Sequence, residues 1–490
     1  MENPRKPRLI EVNRDQHVLR PTDIERLIDE DHPARAVWSF VGRMELGEFY
    51  DSIGSVAGEA GRSAWDPRLL VSVWIYAYSK GIGSAREIER CFDYDPAFQW
   101  LTGMEVINHH TLSDFRISGK AMLDKLFQEV LCVLSADGLI TLERVMHDGT
   151  KIQANAGGDT FRREDKIREL LKFAEEQVAA MGDPRKEDVS KRRIKAKERA
   201  CRERKERLEL SIEELEKLRE TRKDKESKEQ TRASVTDPEA RNMKQSNGGF
   251  APSYNAQIST DSAYGIVVGA TATQSPTDCN ELIPALDEIK RNCGASPKQV
   301  VVDGGFTSRE NIIDVTGQQM DIIGSTGEKR GPALIERMER QGIQEGFFPD
   351  RFIFDSDSNQ YTCPAGRPLS EKRIIKSIGA ATHVYEANAK DCRACPFKQS
   401  CCSKSTKGRS ISRIVEDLLI TNFKAKMETE EAKQIYKTRG PIAEFTNAWI
   451  KSKIKLRQFS VRGLEKVNQE LRWACMALNI CCWIRFTRLA

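Results

Sequence analysis

Over residues 1–130 the apolar positions recur at helical spacing. In Asp66–Lys80, DPRLLVSVWIYAYSK, Pro67 suits a first helical turn, and Leu69, Leu70, Val73 and Ala77 follow at helical intervals. The next stretch, GIGSAREIERCF, offers Ser84 as a helix cap with Glu87 three residues on, a capping box; NHHTLSDFR repeats the device with Thr111 and Asp114. Short helices joined by tight turns, with Arg86, Arg90 and Arg116 near their starts, fit a helix-turn-helix type of DNA-binding module as well as a plain helical bundle.

From residue 142 the pattern turns to strands. LERVMHDGTKI (142–152) reads as a short strand with Asp148 near its end, and YNAQIST (254–260) and YGIVVGATAT (264–273) read as two strands joined by a tight turn at Asp261-Ser262. In SPTDCNELIPALDEI, Ser275 is placed to cap a helix, Pro276 to fill its first position and Asp278 to close a capping box. VVVDGGF (300–306) is too apolar for an edge strand; it ends at Asp303, before a helix opened by Thr307 and Glu310, and DIIGST (321–326) adds a further strand. This order predicts a mixed α/β sheet. Near the end, Leu471, Ala474, Cys475, Leu478 and Cys482 form the apolar stripe of a buried helix.

One region breaks both patterns. In Lys191–Gln230, 27 of 40 residues are charged, with only Leu208, Ile212, Leu215 and Leu218 as a thin apolar stripe. The stripe predicts a long polar helix or helical hairpin with a solvated, salt-bridged surface, and leaves room for pairing with a partner chain.

Composition adds bounds. At 490 residues the chain exceeds what one compact core usually holds, so two or more domains are expected. A net charge of +5 permits an anionic partner such as nucleic acid without requiring one. No run of about 18 apolar residues is present, and the opening MENPRKPRLIEVNRDQ lacks the apolar core of a signal peptide, so a cytoplasmic, nucleoid-associated protein without a membrane partner is expected. The thirteen cysteines then read as metal ligands or free thiols rather than disulfides. Cys363, Cys392, Cys395 and either Cys401 or Cys402 have the spacing of a closed tetrahedral Zn²⁺ site, with unmetallated thiols as the alternative. Lys398, Lys404, Lys407 and Arg409 would let such a knob touch DNA, whereas His383, His109 and His110 read as surface and helix-entry residues.

Three carboxylates carry the candidate chemistry. Asp148 and Asp303 each close a strand pattern and are followed by glycine, in HDGT and VDGG; such positions are either turn aspartates or ligand-facing groups at strand ends. In YKTRGPIAEFTNAWIKSK (436–453), Gly440-Pro441 suits a helix start, with Glu444 in the first turn, Lys451 seven residues later on the same face and Lys455 a turn beyond. Tyr436 and Arg439 precede that helix. Two aspartates with one glutamate suit a hard divalent cation, and the neighbouring bases suit phosphates.

These residues resemble the bacterial insertion-sequence transposases of the DDE type. Tyr436, Arg439, Glu444 and Lys451 match the family signature of Tyr, two residues, Arg, three or four residues, Glu, six residues, Lys, in its four-residue variant. HDGTKIQANA and VVVDGGFTSREN resemble the blocks around the first and second acids, and SAREIER and HHTLSDFR the leading domain; Phe306 departs from the family's usual tyrosine. The resemblance implies a helical DNA-binding domain over 1–135 and a ribonuclease H-like catalytic domain over 136–490, a mixed sheet flanked by helices. That domain is interrupted by a charged, coiled-coil-like helical insertion (158–235) and a Cys-rich insertion (327–420). It implies Asp148, Asp303 and Glu444 as ligands of two Mg²⁺ ions, with Mn²⁺ as a substitute, roughly 4 Å apart, and Tyr436, Arg439 and Lys451 on DNA phosphates. The expected partners are double-stranded DNA, both element ends and target, and a second copy of the chain, a dimer in synapsis. The expected activity is binding of terminal inverted repeats, strand cleavage and strand transfer. A catalytically silent DNA-binding derivative and a different ribonuclease H-like nuclease, such as a junction resolvase, are the alternatives.

Overall fold

The computed structural model describes residues 15, 21–55, 63–117, 120–180, 191–326 and 332–489; apart from Asp15, the opening segment MENPRKPRLIEVNRDQ lies outside them. Its centre is a mixed sheet of strands β1 (Arg144–Gln153), β2 (Phe250–Asp261), β3 (Val267–Thr273), β4 (Gln299–Val302) and β5 (Asp321–Gly324). The spatial order is β3-β2-β1-β4-β5, with the short strand Arg241–Lys244 also pairing the start of β2. Strands β1, β2 and β3 pair antiparallel, while β4 and β5 run parallel to β1. Asp261 fixes the β2–β3 turn: its carboxylate accepts from the backbone N–H groups of Ala263 (2.9 Å), Thr141 (2.9 Å) and Leu142 (2.7 Å), tying the turn to the approach to β1.

The helix Pro67–Ser79 (α1) starts at Pro67, and Asp66 caps it by accepting from the Arg68 N–H. It is buried on all sides because it packs on a second long helix, Leu464–Leu489, as well as on its N-terminal neighbours. Neither expected capping box forms. Ser84 sits at a cap position without a side-chain bond, and the helix His109–Arg116 is capped by Asn108 rather than by Thr111. Arg116 is a core residue, not a DNA-facing one: its guanidinium donates to the Gly83 carbonyl (2.7 Å) and Ser460 Oγ (3.1 Å) and lies 3.6 Å from Glu470. The N-terminal helices, the sheet and the Leu464–Leu489 helix share one hydrophobic core.

The charged segment forms the helices Glu164–Ala180 and Lys191–Glu220, which pack on each other. Leu208, Ile212 and Leu215 close a small core with Ile167, Leu170, Leu171 and Ala174, so the thin stripe finds its partner within the same chain. The helix Leu282–Cys293 (α2) flanks the sheet and begins six residues later than the Pro276 start expected from the sequence. After β5, a second sheet of five antiparallel strands covers residues 353–416 and holds its own core around Leu369, Tyr385 and Ile411. The chain then returns to the main sheet through the helix Phe445–Ser452 (α3) and ends in Leu464–Leu489 (α4).

Candidate active site

The site lies where two paired strands part. Strand β4 matches β1 only over Arg144–Met146 and ends at Val302, while β1 runs on to Gln153. Asp148 is therefore in the middle of a ten-residue strand, not near the end of a short one; it is the neighbouring strand that stops. Asp303, the first residue past β4, is near enough for its charge to act on Asp148. Both carboxylates are oriented by the glycines that follow, through N–H bonds from Gly149 to Asp148 Oδ1 (3.0 Å) and from Gly305 to Asp303 Oδ1 (2.8 Å). Burial pushes the Asp148 carboxyl up to about 6; Arg439 opposes the shift, and Asp303 and Asp278 add to it.

The signature helix reaches this opening differently from the expected helix start at Gly440-Pro441. The chain is helical over Glu430–Lys437, Gly440–Glu444 forms one π turn, and α3 continues at Phe445. Pro441 has no N–H to give the regular ladder, and a π turn absorbs one extra residue while leaving the helical run intact. From this run Arg439 Nη1 lies 3.6 Å from Asp148 Oδ2, Asn447 Nδ2 donates to the same oxygen at 3.1 Å, and Lys451 Nζ donates to Thr150 Oγ1 at 2.5 Å. Glu444 lies nearly one turn before Asn447 and is exposed, its carboxylate beside Gly440, and among the described residues it is not gathered with Asp148 and Asp303. Tyr436 is half-buried against the hydrophobic core. Lys455 is off the helix, which ends at Ser452; it adopts φ 60° and packs beside Gly81.

Asp278 was expected to close a capping box. It sits instead in the loop before α2 and faces the cleft. Its Oδ1 accepts from Asn255 Nδ2 (2.7 Å) and Gln257 Nε2 (3.0 Å), with Lys151 Nζ 3.6 Å away. A sequence signal existed: Asn255 and Gln257 alternate along the strand expected over 254–260, so their amides share one face, and the structure buries both beside Asp278. Gly149 leaves the room for this group, since a Cβ there would lie 2.5 Å from Asp278 Oδ1. His147 is held by Ser259 Oγ (2.9 Å) and Gln257 Oε1 (3.0 Å), and burial pushes it down to about 4, so it is neutral. Phe306, fully buried, packs edge-on against that imidazole at 4.8 Å rather than facing the cleft.

Among the described residues no group of three or more His, Cys, Asp or Glu is gathered closely enough to hold a metal ion. The donor chemistry at the opening nevertheless fits a hard cation. Asn255 Oδ1 and Asn447 Oδ1 are buried oxygens without a hydrogen-bond partner, each on a residue bonded to one of the carboxylates. In the second sheet, Cys363, Cys392, Cys395, Cys401 and Cys402 line one small cavity, and all are free thiols. Backbone N–H groups of Arg367 and Arg409 point at Cys363 Sγ (3.3 Å) and Cys392 Sγ (3.4 Å). Arg409 is buried, donating to the Phe347 carbonyl at 3.0 Å, and so is not available to DNA as expected; His383 pairs with Glu371, and His109 Nδ1 lies 2.6 Å from Glu89.

Residues 362–482 match the family model of a transposase DDE domain, and residues 22–118 match that of a transposase domain, DUF772. The first match contains Tyr436, Arg439, Glu444 and Lys451; Asp148 and Asp303 lie outside both. Both matched regions are similar to transposase domains, which is consistent with an insertion-sequence DDE transposase. No curated protein and no solved structure matches. No helix among the described residues is long and apolar enough to cross a membrane.

Proposed function

We propose that the chain is an insertion-sequence transposase that binds terminal inverted repeats and carries out divalent-metal-dependent strand cleavage and strand transfer. The observation that carries this reading is the placing of Asp148 and Asp303 within electrostatic reach of each other at the β1–β4 parting, with Arg439 and Asn447 of the signature helix on the Asp148 carboxylate. The strand order β3-β2-β1-β4-β5, three antiparallel and two parallel, supports a ribonuclease H-like core.

In this reading Asp148, Asp303 and Glu444 hold Mg²⁺, with Mn²⁺ as a substitute. Two such ions supply Lewis-acid activation of the attacking and leaving oxygens of phosphodiester exchange. The chain's own residues position the reactants. Asn447 and Gly149 fix the Asp148 carboxylate, and Arg439 beside it is placed to grip a phosphate bidentately. Lys451, anchored on Thr150, adds a second positive charge along the same groove. Tyr436 positions this helix against the core. Arg86 and Arg90, exposed on the helix Ala85–Tyr94, are the backbone contacts proposed for a DNA-binding domain over 1–135. A dimer would bring two element ends together, and Zn²⁺ held by Cys363, Cys392, Cys395 and Cys401 would brace the second sheet.

The test is Mg²⁺-dependent cleavage of a duplex carrying the element's end, wild type beside Glu444→Gln. Cutting by the wild type that falls at least a hundredfold in the variant supports the triad. Binding without cutting by either protein establishes the silent DNA-binding alternative, and equal cutting by both removes Glu444 from the site.

A further inference from the structure

We propose that Asp278 is a fourth carboxylate of the active site, binding a divalent cation together with Asp303 and the side-chain oxygen of Asn255. This rests on the metal-dependent reading above and extends its ligand set to a residue outside the transposase signature. Asp278 Oδ2 and Asp303 Oδ1 lie 3.8 and 3.0 Å from one point, the position that a Cβ on Gly305 would take. The two carboxylates therefore border one small volume beside Gly305 at the β1–β4 opening. Drawing them to the 2.0–2.6 Å that Mg²⁺ or Ca²⁺ demands is within reach of side-chain rotation.

Charge and hydrogen bonding point the same way. Among the described residues Arg439 and Lys151 lie 3.6 Å from Asp148 and Asp278, Lys451 also acts on Asp148, and no cation forms an ion pair with Asp303, which leaves its negative charge in excess. A divalent cation removes that excess. Asn255 supplies an independent sign. It is fully buried, and its orientation is set because Nδ2 donates to Asp278. Oδ1 is then turned toward the space beside Gly149, 3.2 Å from where a Cβ would be, and has no partner. A buried amide oxygen with nothing to accept from costs stability, and a cation would satisfy it.

The experiment is Mn²⁺ binding to the full chain, read by electron paramagnetic resonance, for the wild type, Asp278→Asn and Asp148→Asn, with melting curves as the fold control. We expect Asp278→Asn to weaken Mn²⁺ binding at least tenfold at an unchanged melting midpoint, and Asp148→Asn to do the same. If Asp278→Asn binds as the wild type while Asp148→Asn does not, Asp278 only anchors Lys151 and the proposal is overturned with the triad intact. If neither variant weakens binding, the metal-dependent reading falls as well. Should Asp278→Asn fail to fold, Asp278→Ser replaces it, with the same outcomes deciding.

Discussion

Asn447 donates its side-chain amide to Asp148 Oδ2 at 3.1 Å, and this bond joins the helix Phe445–Ser452 to strand β1. The spacing of Tyr436, Arg439, Glu444 and Lys451 does not include Asn447, although it lies between Glu444 and Lys451 on the same side of α3. Its amide oxygen Oδ1 is buried without a hydrogen-bond partner, so the hydrogen bond from Nδ2 to Asp148 is what orients the side chain.

Replacing Asn447 with alanine should leave the fold in place, because the side chain is only half-buried, but should release Asp148. Loss of a bond that orients a metal ligand typically costs about 10–100-fold in affinity or activity. We expect single-turnover cleavage by Asn447→Ala to fall by about that factor and to recover partly at higher Mg²⁺. A rate that stays low at every Mg²⁺ concentration would mean that Asn447 contacts DNA instead.

The π turn at Gly440–Glu444 yields a sharper comparison. If it absorbs one extra residue, deleting Gly440 should restore a regular α-turn and keep Glu444, Asn447 and Lys451 on their faces. Deleting the exposed Ala448 instead rotates Lys451 by about 100° relative to Glu444. Cleavage assays should find the Gly440 deletion within about tenfold of wild type and the Ala448 deletion below about one hundredth. Equal losses would show that the π turn itself is required.

Much of this was legible in the sequence for a physical reason. β-branched runs such as Val300–Val302 and the Asp261 turn signal are local, and the structure realises them as β4 and the β2–β3 turn. Helix caps were less legible, because Thr111 and Thr307 compete with Asn108 and Ser308, only one to three residues away, and Ser84 takes its cap position without a side-chain bond. Ser308 caps its helix by accepting from Asn311 N–H, while Thr307 bonds the Ser325 carbonyl. Asp278 escaped for a non-local reason: its partners Asn255 and Gln257 are more than twenty residues distant in sequence and meet it only once the sheet has formed. Arg116 and Arg409 show the same limit, since burial beside Glu470 or the Phe347 carbonyl depends on distant segments.

Asp237 makes stability depend on pH. Tyr254 Oη and the Gly463 N–H donate to its Oδ1 at 2.8 and 3.1 Å, while Oδ2 is buried without a partner. Burial raises the carboxyl above its ordinary value, so the folded chain holds this proton more tightly than the unfolded one. The contribution is full below the ordinary carboxylate value, near 4, and is lost as pH rises through the raised one. Asp237→Asn keeps an oxygen for both donors and removes the charge. It should melt about 1–2 °C above wild type at pH 8, a gain of about 1 kcal/mol, with the difference closing toward pH 4. A gain that persists at pH 4 would show that charge is not its cause.

The cysteine cavity can be tested apart from catalysis. Burial pushes the Cys401 thiol up to about 12, so without a metal it stays protonated and uncharged among apolar neighbours. Zn²⁺ would replace those protons, and the N–H groups of Arg367 and Arg409 would then stabilise the thiolates of Cys363 and Cys392. Protein purified under reducing conditions should contain one zinc per chain by elemental analysis, falling below about a tenth in the doubly substituted Cys392→Ser, Cys395→Ser chain. Chelation should expose residues 353–416, which span the second sheet, to limited proteolysis while the helices around Trp74 and Trp473 stay resistant. A zinc-free chain whose second sheet resists protease with or without chelator would show that the small core around Leu369, Tyr385 and Ile411 suffices by itself.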